Sequence, residues 1–167
     1  MKRKSMRKAI RSPLLALALV AVFAGTVLAT PSSSFGPPTL LSRGTLSESV
    51  HFNTGAVKFQ TKGSVDFVTQ TITIGAPGSS GWHGHAGVVL VTVKSGTLVH
   101  YDADCSAIEY GPGAPAGSSF VESGATDPAL VRNESTTTPV VVYATWIVPK
   151  GTTALRIDKD NPGCPQN

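Results

Sequence analysis

Gly81-Trp82-His83-Gly84-His85-Ala86-Gly87 runs straight into Val88-Val89-Leu90-Val91-Thr92-Val93, and Lys94-Ser95-Gly96 closes the unit with a turn. The run from Val88 is short and almost continuously apolar, which reads as a buried β-strand. After Gly96 the chain returns through Thr97-Leu98-Val99-His100-Tyr101, a second strand joined to the first by a hairpin. On an extended backbone residues two apart share a face, so His83 and His85 can project into one cavity and chelate one ion. Neutral imidazole suits Zn, Cu, Ni and Fe. The alternative is a histidine pair on a solvated loop.

The same texture extends in both directions. Val65-Asp66-Phe67-Val68-Thr69-Gln70-Thr71-Ile72-Thr73-Ile74 is rich in β-branched residues with partial alternation, and Pro139 to Val148 is a second strongly apolar run. Both read as strands. Ala76 to Gly81 and Gly111 to Gly117 are rich in Gly, Pro and Ser and read as loops. No segment beyond the N-terminus keeps a helical period, and 17 Gly and 12 Pro suit many turns. The expected class is all-β, a sandwich or barrel.

The motif and its setting resemble the cupin family. The first cupin motif runs Gly-x5-His-x-His, then three or four residues, Glu, six residues and Gly. Here Gly78, one residue closer than the consensus, precedes His83 and His85, and Gly96 fits the closing Gly. The Glu position falls on Val89. The second motif is Gly-x5-Pro-x-Gly-x2-His-x3-Asn. Gly117 and Asn133 look like its ends, with Phe120-Val121-Glu122-Ser123-Gly124 between them, but the His position falls near Asp127 to Ala129, where no His occurs. The resemblance covers roughly Val65 to Pro149. It implies a jelly-roll β-barrel with its site inside, a divalent transition metal (Zn, Mn, Fe, Ni or Cu) and a small-molecule ligand. It also implies pairing into homodimers. If the chain is an enzyme, the implied chemistry is of oxygenase or isomerase type.

Two histidines hold a metal poorly, since catalytic metal sites usually take three protein ligands. Asp127 lies near the missing His and is one candidate for the third ligand, against the favoured reading as turn chemistry of the Asp-Pro pair. His100 shares a face with Leu98 and is the other, against a reading as a strand-end histidine. Trp82, Val89 and Val91 are candidate pocket residues, with Trp82 also explicable as packing at the barrel mouth.

The N-terminus adds a compartment. Lys2, Arg3, Lys4, Arg7, Lys8 and Arg11 precede an apolar run from Leu14, and Val27-Leu28-Ala29 has small residues at the positions that precede cleavage. These are the parts of a secretory signal peptide over 1–29, so the protein is expected to be secreted or held in the cell envelope. A retained anchor is the rival, but the run is shorter than the roughly 20 residues a span needs. The formal charge of +4 comes from this segment: eight Lys and Arg remain against ten Asp and Glu. No basic face is left for nucleic acid. Residues 30–45 read as a Ser/Pro-rich arm and 46–167 as one barrel domain with a C-terminal tail. Cys105 and Cys164, the only cysteines, are expected to form a disulfide in an oxidising compartment, the alternative being two free thiols.

The sequence therefore predicts an exported barrel that binds a metal through His83 and His85 and a small molecule beside it, with catalysis open. Its rival is a non-catalytic binding or structural barrel that has lost the metal site.

Overall fold

The structure, a computed structural model, describes residues 29–165; the segment read as a signal peptide lies outside them except for Ala29. Among the described residues there is no helix, and none that could cross a membrane. The strands are β1 (Ser33–Phe35), β2 (Thr39–Leu46), β3 (His51–Asn53), β4 (Lys58–Gln60), β5 (Val65–Ser79), β6 (His83–His85), β7 (Val88–Ser95), β8 (Leu98–Tyr101), β9 (Ala107–Tyr110), β10 (Ser119–Ser123), β11 (Leu130–Asn133), β12 (Val140–Pro149) and β13 (Arg156–Asp158).

The main sheet runs β10-β7-β12-β5-β11-β8-β9, with β1 and β2 also paired to β5. All these pairings are antiparallel, and the sheet curls into a nearly closed barrel. Its spine is β5 against β12, in register from Val65↔Pro149 to Ile74↔Val140. The alternation of burial along β12 and β7 follows from the period of two in a strand. Inward go Val68, Ile72 and Ile74 of β5, Val89, Val91 and Val93 of β7, and Val140, Val142, Trp146 and Val148 of β12, joined by Leu98, Phe120 and Val131. Each such side chain contributes roughly 1.5–3 kcal/mol by leaving water.

Three expectations are corrected. The run from Val88 is covered on one face only: Val88 and Leu90 are 40% and 44% exposed, because nothing packs on the barrel's outer surface there. The loop expected from Ala76 is strand as far as Ser79. Its Gly/Pro composition is tolerated because β1 and β11 supply backbone partners (Ser33↔Ser79, Asn133↔Gly78), and the Asn133 amide donates to the carbonyls of Ile74 and Gly75. The arm expected over residues 30–45 is not a loose appendage. It forms β1 and β2 along β5, and Phe35 packs on the core.

The tail is tied down twice. Cys105 and Cys164 form the expected disulfide, over which Trp82 and Leu130 pack. Upstream of it, β13 pairs antiparallel with β6.

Candidate functional site

β6 is three residues long and buried throughout. Its backbone is held on both edges. On one side Arg156↔His85 and Asp158↔His83 pair with β13. On the other, His83 exchanges hydrogen bonds with Ala129, and His85 N–H donates to Gly124 O. The flanking glycines make the approach feasible. Gly81 takes a positive φ of 69° against the Thr30 carbonyl, and a side chain at Gly87 would collide with the Ile147 carbonyl. With the strand fixed this way, His83 and His85 project together into the barrel, ring centroids 4.8 Å apart and edge to face.

A third group meets them. Glu122, on β10, is paired directly across from Val89 on β7, and both face inward. One ligand atom from each of His83, His85 and Glu122 lies within 4.8 Å of the others. His85 Nε2 is 2.8 Å from Glu122 Oε2. Each Nδ1 has a backbone carbonyl 2.9 Å away, Gly81 O for His83 and Leu155 O for His85. On His83, an Nδ1–H donated to Gly81 O leaves Nε2 as the metal-binding nitrogen. Trp146 Nε1–H donates to His85 Nδ1 at 3.2 Å, which places the His85 proton on Nε2, toward Glu122. Moving that proton to Nδ1, where Leu155 O can accept it, would free Nε2 as a ligand.

The electrostatics favour a cation. Burial lowers the His83 pKa to about 4, with the Arg156 charge pushing the same way. His83 is therefore neutral at ordinary pH, as a ligand must be. Burial raises the Glu122 pKa, but the imidazoles of His100 and His85 facing its carboxyl outweigh this and hold it well below the usual carboxylate range. The result is a buried anion. Its Oε1 is 3.4 Å from His100 Nε2, too poorly aligned for a hydrogen bond, so both atoms are buried without one. An ionised oxygen left in this state is costly.

The sequence candidates separate on this geometry. His83 and His85 are brought together. Asp127 does not join them: it is exposed and accepts a hydrogen bond from Ser123 at 3.0 Å, the behaviour of a turn aspartate. His100 is buried as its register with Leu98 suggested. It lies outside the three-ligand cluster, facing Glu122, packed on Phe120 and 3.8 Å from Asp102. Val89 and Val91 line the barrel cavity. Trp82 lines neither the cavity nor its mouth, since it packs with Leu130 and Cys164; Trp146 is the indole at the site. Sequence reasoning missed Glu122. The available signal was its spacing from Phe120, which places both on the inner face of a short strand.

The space around the cluster has two compartments. The inner cavity is small, about 40 Å³, with walls of Ile72, Val89, Val91, Leu98 and Phe120. A water needs on the order of 10–15 Å³ of such space, so an ion and a water or two would fill it. Outside lies a mouth pocket of about 340 Å³, which shares His83, His85 and Trp146 with the cavity and is walled by Phe35, Pro38 and residues 153–156 of the tail.

No family model matches the chain, and no curated protein matches it. Among solved structures it is similar to a cupin domain from Bordetella pertussis Tohama I (16% identity, 72% of this chain and 96% of that one, TM-score 0.42). It is similar also to a sugar phosphate isomerase from a cupin superfamily of Silicibacter pomeroyi (13% identity, 60% and 71%, TM-score 0.40). A third match is a conserved protein of unknown function from Streptococcus pyogenes (15% identity, 51% and 67%, TM-score 0.42). On its own strand order the fold is a nearly closed, antiparallel all-β barrel.

Proposed function

We propose that this chain is an exported cupin that holds one divalent transition metal through Nε2 of His83, Nε2 of His85 and a carboxylate oxygen of Glu122, and binds a small molecule in the mouth pocket beside it. The observation that carries this reading is the buried carboxyl of Glu122, whose Oε1 has no hydrogen-bond partner, within ligand distance of two imidazoles. A divalent ion would satisfy that carboxylate and both nitrogens at once. Two imidazoles and a carboxylate suit Zn and Fe, and also Mn, Ni and Cu. Three protein ligands leave a coordination position open, and a bound ion would there supply a Lewis acid.

The chain's own residues do the rest. Gly81 O fixes the His83 tautomer, Leu155 O can take the His85 Nδ1 proton when Nε2 is a ligand, His100 faces Glu122, and Val89, Leu98 and Phe120 keep bulk water out. Export is supported by the basic and apolar N-terminus and by the disulfide, which persists in oxidising compartments. Co²⁺ titration tests the site. A visible absorption band saturating at one equivalent in the wild type, and absent in His83→Gln, is expected; no band in the wild type would contradict the proposal.

A further inference from the structure

The mouth pocket has a chemical character of its own. Its walls are mainly apolar, from Phe35, Pro38, Ile72, Trp146 and Leu155, with Gln70 and Thr153 as uncharged polar groups. Among the described residues, Arg156 is the only Arg, Lys, Asp or Glu that lines it. Arg156 sits on β13, in register with His85, so the guanidinium is anchored by the strand that braces the histidines. Its charge reaches the site, since it works against protonation of His83.

The guanidinium is only partly engaged. Its Nε lies 2.6 Å from Asp158 Oδ1, and a guanidinium carries five N–H donors. Asp158 is 68% exposed, so this pairing is screened by water. Asp158 does not line the mouth pocket; it lines the neighbouring groove beside residues 30–32, while Arg156 borders both.

We propose that the mouth pocket takes a small organic carboxylate with an apolar body, the carboxylate received by Arg156 and the body held among Phe35, Ile72 and Trp146. The fork of an arginine matches a planar carboxylate, and the pocket volume lies at the small end of ligand sites, near roughly 300 Å³. A ligand of one ring or a short chain fits. This deepens the ligand half of the proposed function and rests on the mouth pocket being its binding place, but it does not require that metal be bound.

The test uses benzoate and its neutral isostere benzamide as probes, with binding followed by ligand-observed NMR on the signal-free protein and zinc content measured on the same samples. Benzoate should bind the wild type at least roughly tenfold more tightly than benzamide, as one charge-assisted contact provides. Arg156→Gln should bring benzoate to the level of benzamide while the β-type circular dichroism and the zinc content stay unchanged; Arg156→Lys should recover part of the preference. Equal binding of the two probes to the wild type would overturn the proposal, as would no benzoate binding at millimolar concentration, or a preference that survives in Arg156→Gln. Benzoate preference in a wild type that takes up no zinc would refute the metal reading and leave the anion pocket standing. Zinc uptake without benzoate preference would do the reverse.

Discussion

Replacing Glu122 by Gln separates a metal-binding carboxylate from a structural one, because the two roles predict different outcomes. The side chain is 8% exposed and reaches His85 Nε2 at 2.8 Å. Gln keeps the length and an acceptor oxygen for that contact. It also removes a buried charge whose Oε1 has no partner in the ion-free site. An unsatisfied buried polar atom costs about 1–3 kcal/mol, and buried ion pairs often add nothing net to stability. The imidazoles that hold Glu122 ionised, however, also stabilise its charge in the folded state, so with a chelator present Glu122→Gln should lose about 1–3 kcal/mol. With zinc present the gap should widen. A ligand at 100 times its Kd stabilises by about 2.7 kcal/mol, which the wild type should gain and the variant should not. Urea unfolding of both proteins, each with chelator and with excess zinc, measures all four numbers. A variant stabilised by zinc as much as the wild type would show that Glu122 is not a ligand.

Other predictions draw on separate parts of the fold. His83 has its pKa lowered from 6.5 to about 4 by burial, so the unfolded chain takes up this proton first as pH falls. Stability from this group is intact above pH 6.5 and is lost through pH 4, about 3 kcal/mol in all. Unfolding free energies of the wild type should fall more steeply over that window than those of His83→Gln; parallel slopes would refute the assignment. Cys105 and Cys164 close a loop with a separation of 59 residues, so the double Ser variant should lose about 4 kcal/mol on the chain-entropy model, and an unchanged urea midpoint would contradict this. Deleting residues 30–45 removes β1 and β2 from the edge of β5 and Phe35 from the core. Phe35 is partly buried, so the truncated protein should be destabilised by at least part of the roughly 1.5–3 kcal/mol of a fully buried side chain; unchanged stability would mark the segment as a spacer after all.

How much of this was legible in the sequence depends on how far each residue's partner lies along the chain. β5, β7 and β12 announce themselves because they carry the β-branched residues of the core, and the hairpin at Lys94-Ser95-Gly96 is local turn chemistry. β1, β6 and β13 are three residues each, too short for periodicity to register, and they exist because longer neighbours hold them. The histidine pair was legible from its spacing alone. The third group was not. The first motif that the sequence resembles has a carboxylate where this chain has Val89, and Glu122 lies on the adjacent strand, paired with Val89 across 33 residues of sequence. Near the place where the second motif has its histidine, Ala129 forms the bridge to His83, so its backbone lies beside β6 while its side chain has no ligand atom. Asp127 looked apt by position, yet a loop two residues away from that bridge lets it turn outward to Ser123.

The central claim is that His83, His85 and Glu122 form one metal site, and the most direct measurement is the metal content of signal-free protein by elemental mass spectrometry, beside a His83→Ala/His85→Ala double variant. The account predicts one equivalent of a divalent transition metal in the wild type, after purification or after incubation with Zn, Mn, Fe, Ni or Cu, and none in the variant. Absence of metal from both proteins under every loading condition would contradict it and leave a barrel that binds without a metal.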